Sequence, residues 1–171
     1  MDFFEVLKKR HSVRRFKEKK IEKDKIQKLI KAANSAPSAG NLQAYRIILV
    51  RDNALRQRLA RVSCNQNFIH QAPINLVFCA DGLRSAQGYG KRGETLYSIQ
   101  DATISCAHVH LAAVDLGLGS VMVGAFDEKE VSKLLKIPNH LRPVIILPVG
   151  YPDESPEESP RRSLDDLVNE I

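Results

Sequence analysis

Residues 95–116 carry Ala, Ile, Leu and Val almost all the way round a helix, with small residues at Ser105, Ala107, Ala112 and Ala113. A helix that is apolar on every face has to be covered on every face. A chain of 171 residues has little material with which to do that. The segment is therefore predicted to be a central helix lying at a subunit interface, ended by Gly117.

The other elements are shorter. Asp2 is placed to cap a helix with Phe3, Val6 and Leu7 on its apolar face. Ile26, Leu29, Ile30 and Ala33 have helical spacing, and that helix stops before Pro37. Ile47–Val50, Ile74–Ala80, Ser120–Val123 and Val144–Val149 read as strands, and Asp52 as the cap of a helix bearing Leu55, Leu59 and Val62. Asp127 and Glu130 make a capping-box-like start for a helix over 128–136. Residues 81–94 hold four glycines and three basic residues and are predicted to be a mobile loop. Pro152–Pro160 is predicted to be an extended arm, followed by a short helix capped by Ser163. Few strands separated by helices indicate an α+β or α/β fold.

Charge narrows the partners. The net is +6, but residues 1–31 hold twelve Lys/Arg against five Asp/Glu, and residues 152–171 hold seven acids against two Arg. A basic head points to an anionic partner: a nucleic acid, a membrane surface or a phosphate. No stretch reaches the roughly 18 apolar residues of a membrane span, and the first residues lack the apolar core of a signal peptide. Cys64, Cys79 and Cys106 read as reduced thiols, as in a cytoplasmic protein. The five histidines are scattered, with no Cys or acid at metal-ligand spacing, so no metal site is expected. No serine or cysteine nucleophile signature is present, and no catalytic side chain is assigned. Asp101, amid apolar neighbours, is read as hydrogen-bonded for structure.

Four stretches could hold a ligand. In Arg10-His11-Ser12-Val13-Arg14-Arg15-Phe16, two or three guanidiniums and a hydroxyl can surround a phosphate, although a solvated basic turn would have the same composition. Ala36-Pro37-Ser38-Ala39-Gly40-Asn41-Leu42-Gln43 combines small residues, which admit a flat ligand close to the backbone, with amides suited to a heterocycle edge; a helix-stop loop would read alike. Gly117-Leu118-Gly119-Ser120-Val121-Met122-Val123-Gly124 follows a helix and enters a strand. That is the wrong order for a dinucleotide fingerprint, though the amides of Val123 and Gly124 could face a ligand. Arg161-Arg162 stands in an otherwise acidic tail.

Taken in order, these stretches resemble the flavin-dependent nitroreductase family. The matching segments are RHSVRRF, APSAGNLQ, NQNFIHQAPINLVF, DATISCAHVHLAAVDLGLGS and VGYPDESPEESPRRSLDDLV, spanning nearly the whole chain. The resemblance implies one FMN-binding domain over residues 1–171, an α+β three-layer sandwich with a mainly antiparallel central sheet, and an intertwined homodimer. The arm 152–171 would pack on the partner chain. It further implies that Arg10, His11, Ser12 and Arg14 bind the ribityl phosphate or nearby polar atoms, with Arg161 or Arg162 closing that site. Pro37, Ser38, Ala39 and Asn41 would line the flavin from the partner chain. Asn65 or Gln66 would lie near the flavin pyrimidine, and Val123 and Gly124 would set their amides near N5. Two features depart from the family: the chain is short, and Ala44-Tyr45 replaces the usual Pro-aromatic pair.

The activity so implied is ping-pong transfer of hydride from NADH or NADPH through flavin N5 to a nitroaromatic, quinone or other planar acceptor. Alternatives of the same fold are dehalogenation, dehydrogenation and flavin breakdown. Outside that class stand a non-catalytic flavin-binding protein and a basic nucleic-acid-binding protein. Nucleic acid and membrane are not the expected partners.

Overall fold

In the computed structural model, which describes residues 1–157 and 159–171, two strands buried on both faces hold the molecule together. Strand β2 (Ile74–Asp81) pairs with β4 (Leu141–Gly150). Strand β1 (Tyr45–Val50) joins the free edge of β2, and β3 (Gly119–Ser120) the free edge of β4, giving an antiparallel sheet in the order β1-β2-β4-β3. The β2–β4 register slips between Phe78, opposite Ile145, and Cys79, opposite Pro143. Pro143 has no N–H to give the ladder, and a slip absorbs the missing bond.

Side chains alternate across a strand. Leu76 and Phe78 therefore face helices α2 (Lys23–Asn34) and α6 (Ser98–Asp115), where Leu29, Ala33, Cys106, Val109 and Ala113 close the first core. Val77 and Cys79 face α3 (Asn53–Val62) and α7 (Glu128–Leu135), where Leu59 and Val131 close the second. Each such burial contributes about 1.5–3 kcal/mol, so β2, buried over Ile74–Ala80, tolerates a polar replacement least. The result is the expected α+β three-layer arrangement. The predicted caps form: Asp52 accepts from Leu55 N at 2.8 Å, and Asp127 from Lys129 N and Glu130 N, both at 2.9 Å. Ser163 accepts from Asp166 N at 3.2 Å, starting α8 (Leu164–Leu167).

Helix α6 buries one stripe: Ser98, Asp101, Ala102, Ser105, Cys106, Val109, His110 and Ala113. Its polar members are all bonded. Ser98 donates to Glu94 O, Ser105 donates to Ala33 O, and Asp101 accepts two backbone N–H groups. Within the chain the opposite face is open, with Ile104 exposed. Helix α1 (Phe3–Lys9), which packs against α6, exposes Phe3, Phe4 and Leu7. No helix of the described residues is long and apolar enough to cross a membrane.

Two expectations of the fold need correction. Residues 81–94 are helical, not a loop. Helix α5 (Gly82–Arg92) is capped by Asp81, which accepts from Arg84 N at 3.0 Å, breaks at Gly90 (φ 53°), and runs through a wide turn (Gly93–Tyr97) into α6. The glycines serve close packing rather than freedom: a Cβ on Gly93 would lie 2.5 Å from Ser85 O. Strand β3 is only two residues, and Val123 rejoins the sheet by a single bridge to Ile146. A short helix α4 (Asn67–Gln71), with too few residues to show a period, follows α3.

The arm is anchored at its start. Asp153 N donates to Arg15 O at 2.9 Å, and the Glu154 carboxylate accepts from the backbone N–H groups of Arg14 and Arg15. Tyr151 donates to Glu22 at 2.5 Å and accepts from Lys25 at 3.0 Å, pinning the end of β4 to the start of α2.

Candidate functional site

Arg10 caps the C-terminus of α1 in an extended conformation, its N–H donated to Val6 O at 2.9 Å. It opens a cleft of about 430 Å³ whose lining includes Lys8, His11, Ser159, Pro160 and Arg161. Arg10 and Arg161 thus meet although they are far apart in sequence. Among the described residues the charged lining is basic, which concentrates positive potential where an anion would enter. Arg161 is oriented by bonds from Nη1 to Ser159 O (3.1 Å) and Pro160 O (3.2 Å), whereas Arg162 pairs with Asp166 at 3.4 Å. Arg161 is therefore the arginine at the cleft.

The neighbouring residues take other places. Ser12 bridges to Ser120, and Val13 N donates to Ser120 O at 3.1 Å, fixing this segment against β3. Gly119 permits that approach, since a Cβ there would lie 2.8 Å from Val13. Arg14 is exposed, and neither it nor Ser12 lines the cleft.

The loop after α2 is held by α6. Asp101 Oδ1 accepts from Ala39 N at 3.0 Å and Oδ2 from Ala44 N at 3.4 Å. Ser38 Oγ accepts from Gln43 N, and Asn41 Oδ1 from the Gln43 side chain. Gly40, Asn41 and Gln43 all have φ near +50°, a left-handed turn that glycine and asparagine tolerate best. Helix α5 rests on this loop, with Arg84 donating to Leu42 O and Gly88 facing Leu42. Pro37, Ser38, Ala39 and Asn41 do not line the Arg10 cleft.

Of the amides after α3, Gln66 is tied by Nε2 to Ser63 O (2.8 Å) and Ala125 O (3.0 Å), while Asn65 is exposed with φ 56°. The expectation for Val123 needs correction, because its N–H is donated to Ile146 O at 2.9 Å and is not available to a ligand. Gly124 is exposed, and nothing lies within 4 Å of where a Cβ would stand.

A larger cleft of about 1160 Å³ lies between residues 15–21 and the start of α3 and contains none of the expected site residues. Several of its cations serve the fold. Arg56 donates to His70 O, Ala72 O and Asn53, Arg15 to Asp153 O, and Lys19 sits 4.0 Å over the Tyr151 ring.

Two residues that hold segment 10–15 escaped the sequence reading. Glu154 looks like any acid of the arm but holds the backbone of Arg14 and Arg15. His110 lies beneath Arg10: its Nε2 is 3.3 Å from Arg10 Nη1 and its Nδ1 is 2.6 Å from Ser120 Oγ. Burial first, and the Arg10 charge second, hold its pKa down to about 4. The available signal was the period of α6: His110 falls on the stripe of Ser98, Asp101, Ser105 and Cys106, where a polar side chain needs a partner.

The model of the nitroreductase family matches residues 7–81 and 61–151. The chain belongs to the nitroreductase family. A Staphylococcus aureus relative of this family chain, named NADPH-dependent oxidoreductase, is 31% identical over 97% of this chain and 72% of its own length. The structure of the NADPH:FMN oxidoreductase from Vibrio harveyi complexed with NAD+ matches with a TM-score of 0.91 at 30% identity, covering 98% of this chain and 76% of that one. A nitroreductase family protein from Streptococcus pneumoniae matches with a TM-score of 0.90 at 25% identity, covering 99% of this chain and 100% of that one. Against that neighbour this nitroreductase-family chain is not short.

Proposed function

We propose that the protein is an FMN-dependent NAD(P)H oxidoreductase that works as a homodimer on a nitroaromatic, quinone or other planar acceptor. The observation that carries the reading is the meeting of Arg10, His11 and Arg161 in one basic cleft, in a chain of the nitroreductase family. The donor set fits FMN: guanidiniums suit a phosphate, and a left-handed loop of small residues suits the edge of a flat ring.

The chemistry FMN supplies when bound is two-electron transfer from NADH or NADPH at N5 to an acceptor, in two half-reactions. The chain's own residues bind and orient. Arg10, His11 and Arg161 would hold the phosphate, with Ser12 and Arg14, outside the cleft lining, adding polar groups beside it. Pro37, Ser38, Ala39 and Asn41 would come from the partner chain, Asn65 would bind the pyrimidine edge, and the Gly124 N–H would face the flavin ring. No side-chain nucleophile is needed. Burial pushes the Cys79 thiol up to about 12 and raises Cys106 further, so neither supplies a thiolate. The second chain is supported by the exposed Phe3, Phe4 and Leu7 of α1 and Ile104 of α6, and by Leu164, Leu167 and Val168, exposed on the arm itself. The arm's apolar residues would pack on the partner chain.

The test is an absorbance spectrum after FMN loading, with a band near roughly 450 nm expected, followed by NADH or NADPH. Bleaching by either nucleotide and return of colour with a quinone are the expected results. A protein that stays colourless with added FMN would overturn the proposal, and flavin that neither nucleotide reduces would make it a flavin carrier. An acceptor panel then separates nitro and quinone reduction from dehalogenation or flavin breakdown.

A further inference from the structure

We propose that His110 is a positioning residue for Arg10: fixed as the Nδ1–H tautomer by Ser120, it offers a bare Nε2 to the guanidinium and so orients the anion clamp. The inference rests on the FMN-phosphate reading of the Arg10 cleft.

Arginine carries donors only and stays charged in proteins. At 3.3 Å from Arg10 Nη1, His110 Nε2 must therefore be the acceptor and carry the lone pair. In a neutral ring the proton is then on Nδ1, and the 2.6 Å contact with Ser120 Oγ is a donation from the ring to the hydroxyl. Donor and acceptor roles along Arg10–His110–Ser120 follow from the donors-only character of Arg10.

Ser120 is a rigid reference point. It is buried in β3, paired with Val149, and its carbonyl accepts from Val13 N. The backbone of segment 10–13 and the side chain of Arg10 are thus both fixed to one residue, the first through Val13 and the second through His110. Without the imidazole acceptor, Arg10 would keep its charge but lose its aim, and a bidentate phosphate contact depends on aim.

The surroundings favour the neutral ring. His110 is 6% exposed. Arg10 faces it from the end of α1, whose other charged residues, Asp2, Glu5, Lys8 and Lys9, are exposed. Ser120 faces it from β3. The core residues that α2, β2 and β4 turn toward α6 are apolar, among them Leu29, Leu76 and Leu147. On α6 itself Cys106 is kept protonated by burial, His108 approaches Ser35 Oγ, and Asp115 pairs with the N-terminal ammonium at 3.2 Å. Protonation would put N–H on both ring nitrogens, remove the acceptor and set a second cation against Arg10.

The experiment compares the full-length protein with H110L, H110Q, S120A, H110L/S120A and R10A. Leu fills similar space without an acceptor. Gln restores an acceptor for Arg10 and a donor for Ser120. FMN dissociation constants, read by flavin fluorescence, are expected to rise roughly tenfold in H110L and further in R10A, and to stay within about threefold in H110Q. S120A should show part of the H110L loss, and the double variant should be no worse than H110L, because the two act in one line. Apoprotein melting temperature should not track this order. Nitrogen NMR of labelled histidine near pH 7 should show His110 as the Nδ1–H tautomer. If R10A loses FMN while H110L and H110Q match wild type, His110 only packs, and the inference fails while the FMN reading stands. An Nε2–H tautomer would overturn the inference whatever binds. If wild type and R10A alike take no FMN, the phosphate reading itself falls, and this inference with it.

Discussion

At the scale of single residues, the site divides into groups that touch a ligand and groups that hold those in place. On the FMN reading proposed above, Arg10 belongs to the first and Lys20, which lines the larger cleft, to neither. Arg10→Ala should therefore raise the FMN dissociation constant by about 10- to 100-fold, with Arg14→Ala a smaller effect, while Lys20→Ala stays within about twofold. Equal retention in all three would remove the phosphate assignment. His110 also links stability to pH. Unfolded, it titrates near 6.5, and folded, near 4. Between those values the unfolded chain binds a proton that the folded chain refuses. Its contribution is complete above about pH 6.5 and falls away as the pH drops toward 4, by up to about 3 kcal/mol. Urea midpoints at pH 7 and pH 4.5 should fall less for His110→Gln than for wild type, and parallel losses would assign the slope to other groups.

At the scale of elements, the parts written in strong local signals were legible. The stripe of Ile26, Leu29, Ile30 and Ala33 is buried except at Ile30, which is exposed, and the caps Asp52, Asp127 and Ser163 and the apolar run of β2 formed where periodicity and capping put them. Asp101 was legible too, because a lone acid among apolar residues must find donors, and it found Ala39 N and Ala44 N. What could not be read was tertiary in origin. The glycines of 82–93 look like loop residues until one sees that Gly93 lies against the Ser85 carbonyl and Gly88 against Leu42. The commitment of Val123 N–H to Ile146 depends on a strand more than twenty residues away. Gly93→Ala and Gly124→Ala separate these roles. The first drives a Cβ to 2.5 Å from backbone oxygen and should destabilise the fold by about 1–3 kcal/mol. The second meets nothing within 4 Å, so the melting temperature should hold while FMN binding weakens, if the ring lies against that backbone. A Gly124→Ala protein with unchanged flavin affinity would move the ring elsewhere.

At the scale of the whole molecule, the basic head resolves into separate tasks. Arg10 serves the cleft, the backbone at Arg14 and Arg15 clasps the arm, and Lys25 holds Tyr151. Length and the apolar helix bear on the same point. One chain covers one stripe of α6 and leaves Phe4 at 75% and Ile104 at 38% exposure. Its cleft also holds Arg10 and Arg161 without the Pro37–Asn41 loop. Both gaps close if a second chain supplies the missing face and the missing loop, and this has a consequence that a one-chain site does not share. Let one chain carry Arg10→Ala and the other Asn41→Ala, each tagged differently so that only the mixed dimer is purified. If Arg10 and Asn41 of a site come from different chains, one site of the mixed dimer keeps both residues and the other loses both. FMN should then bind about half the sites with wild-type affinity, although neither parent homodimer does so. If both residues come from one chain, each site keeps a single defect and the mixed dimer binds as weakly as its parents. Flavin stoichiometry against a dimer of twice 19.2 kDa separates the two arrangements without any knowledge of the acceptor.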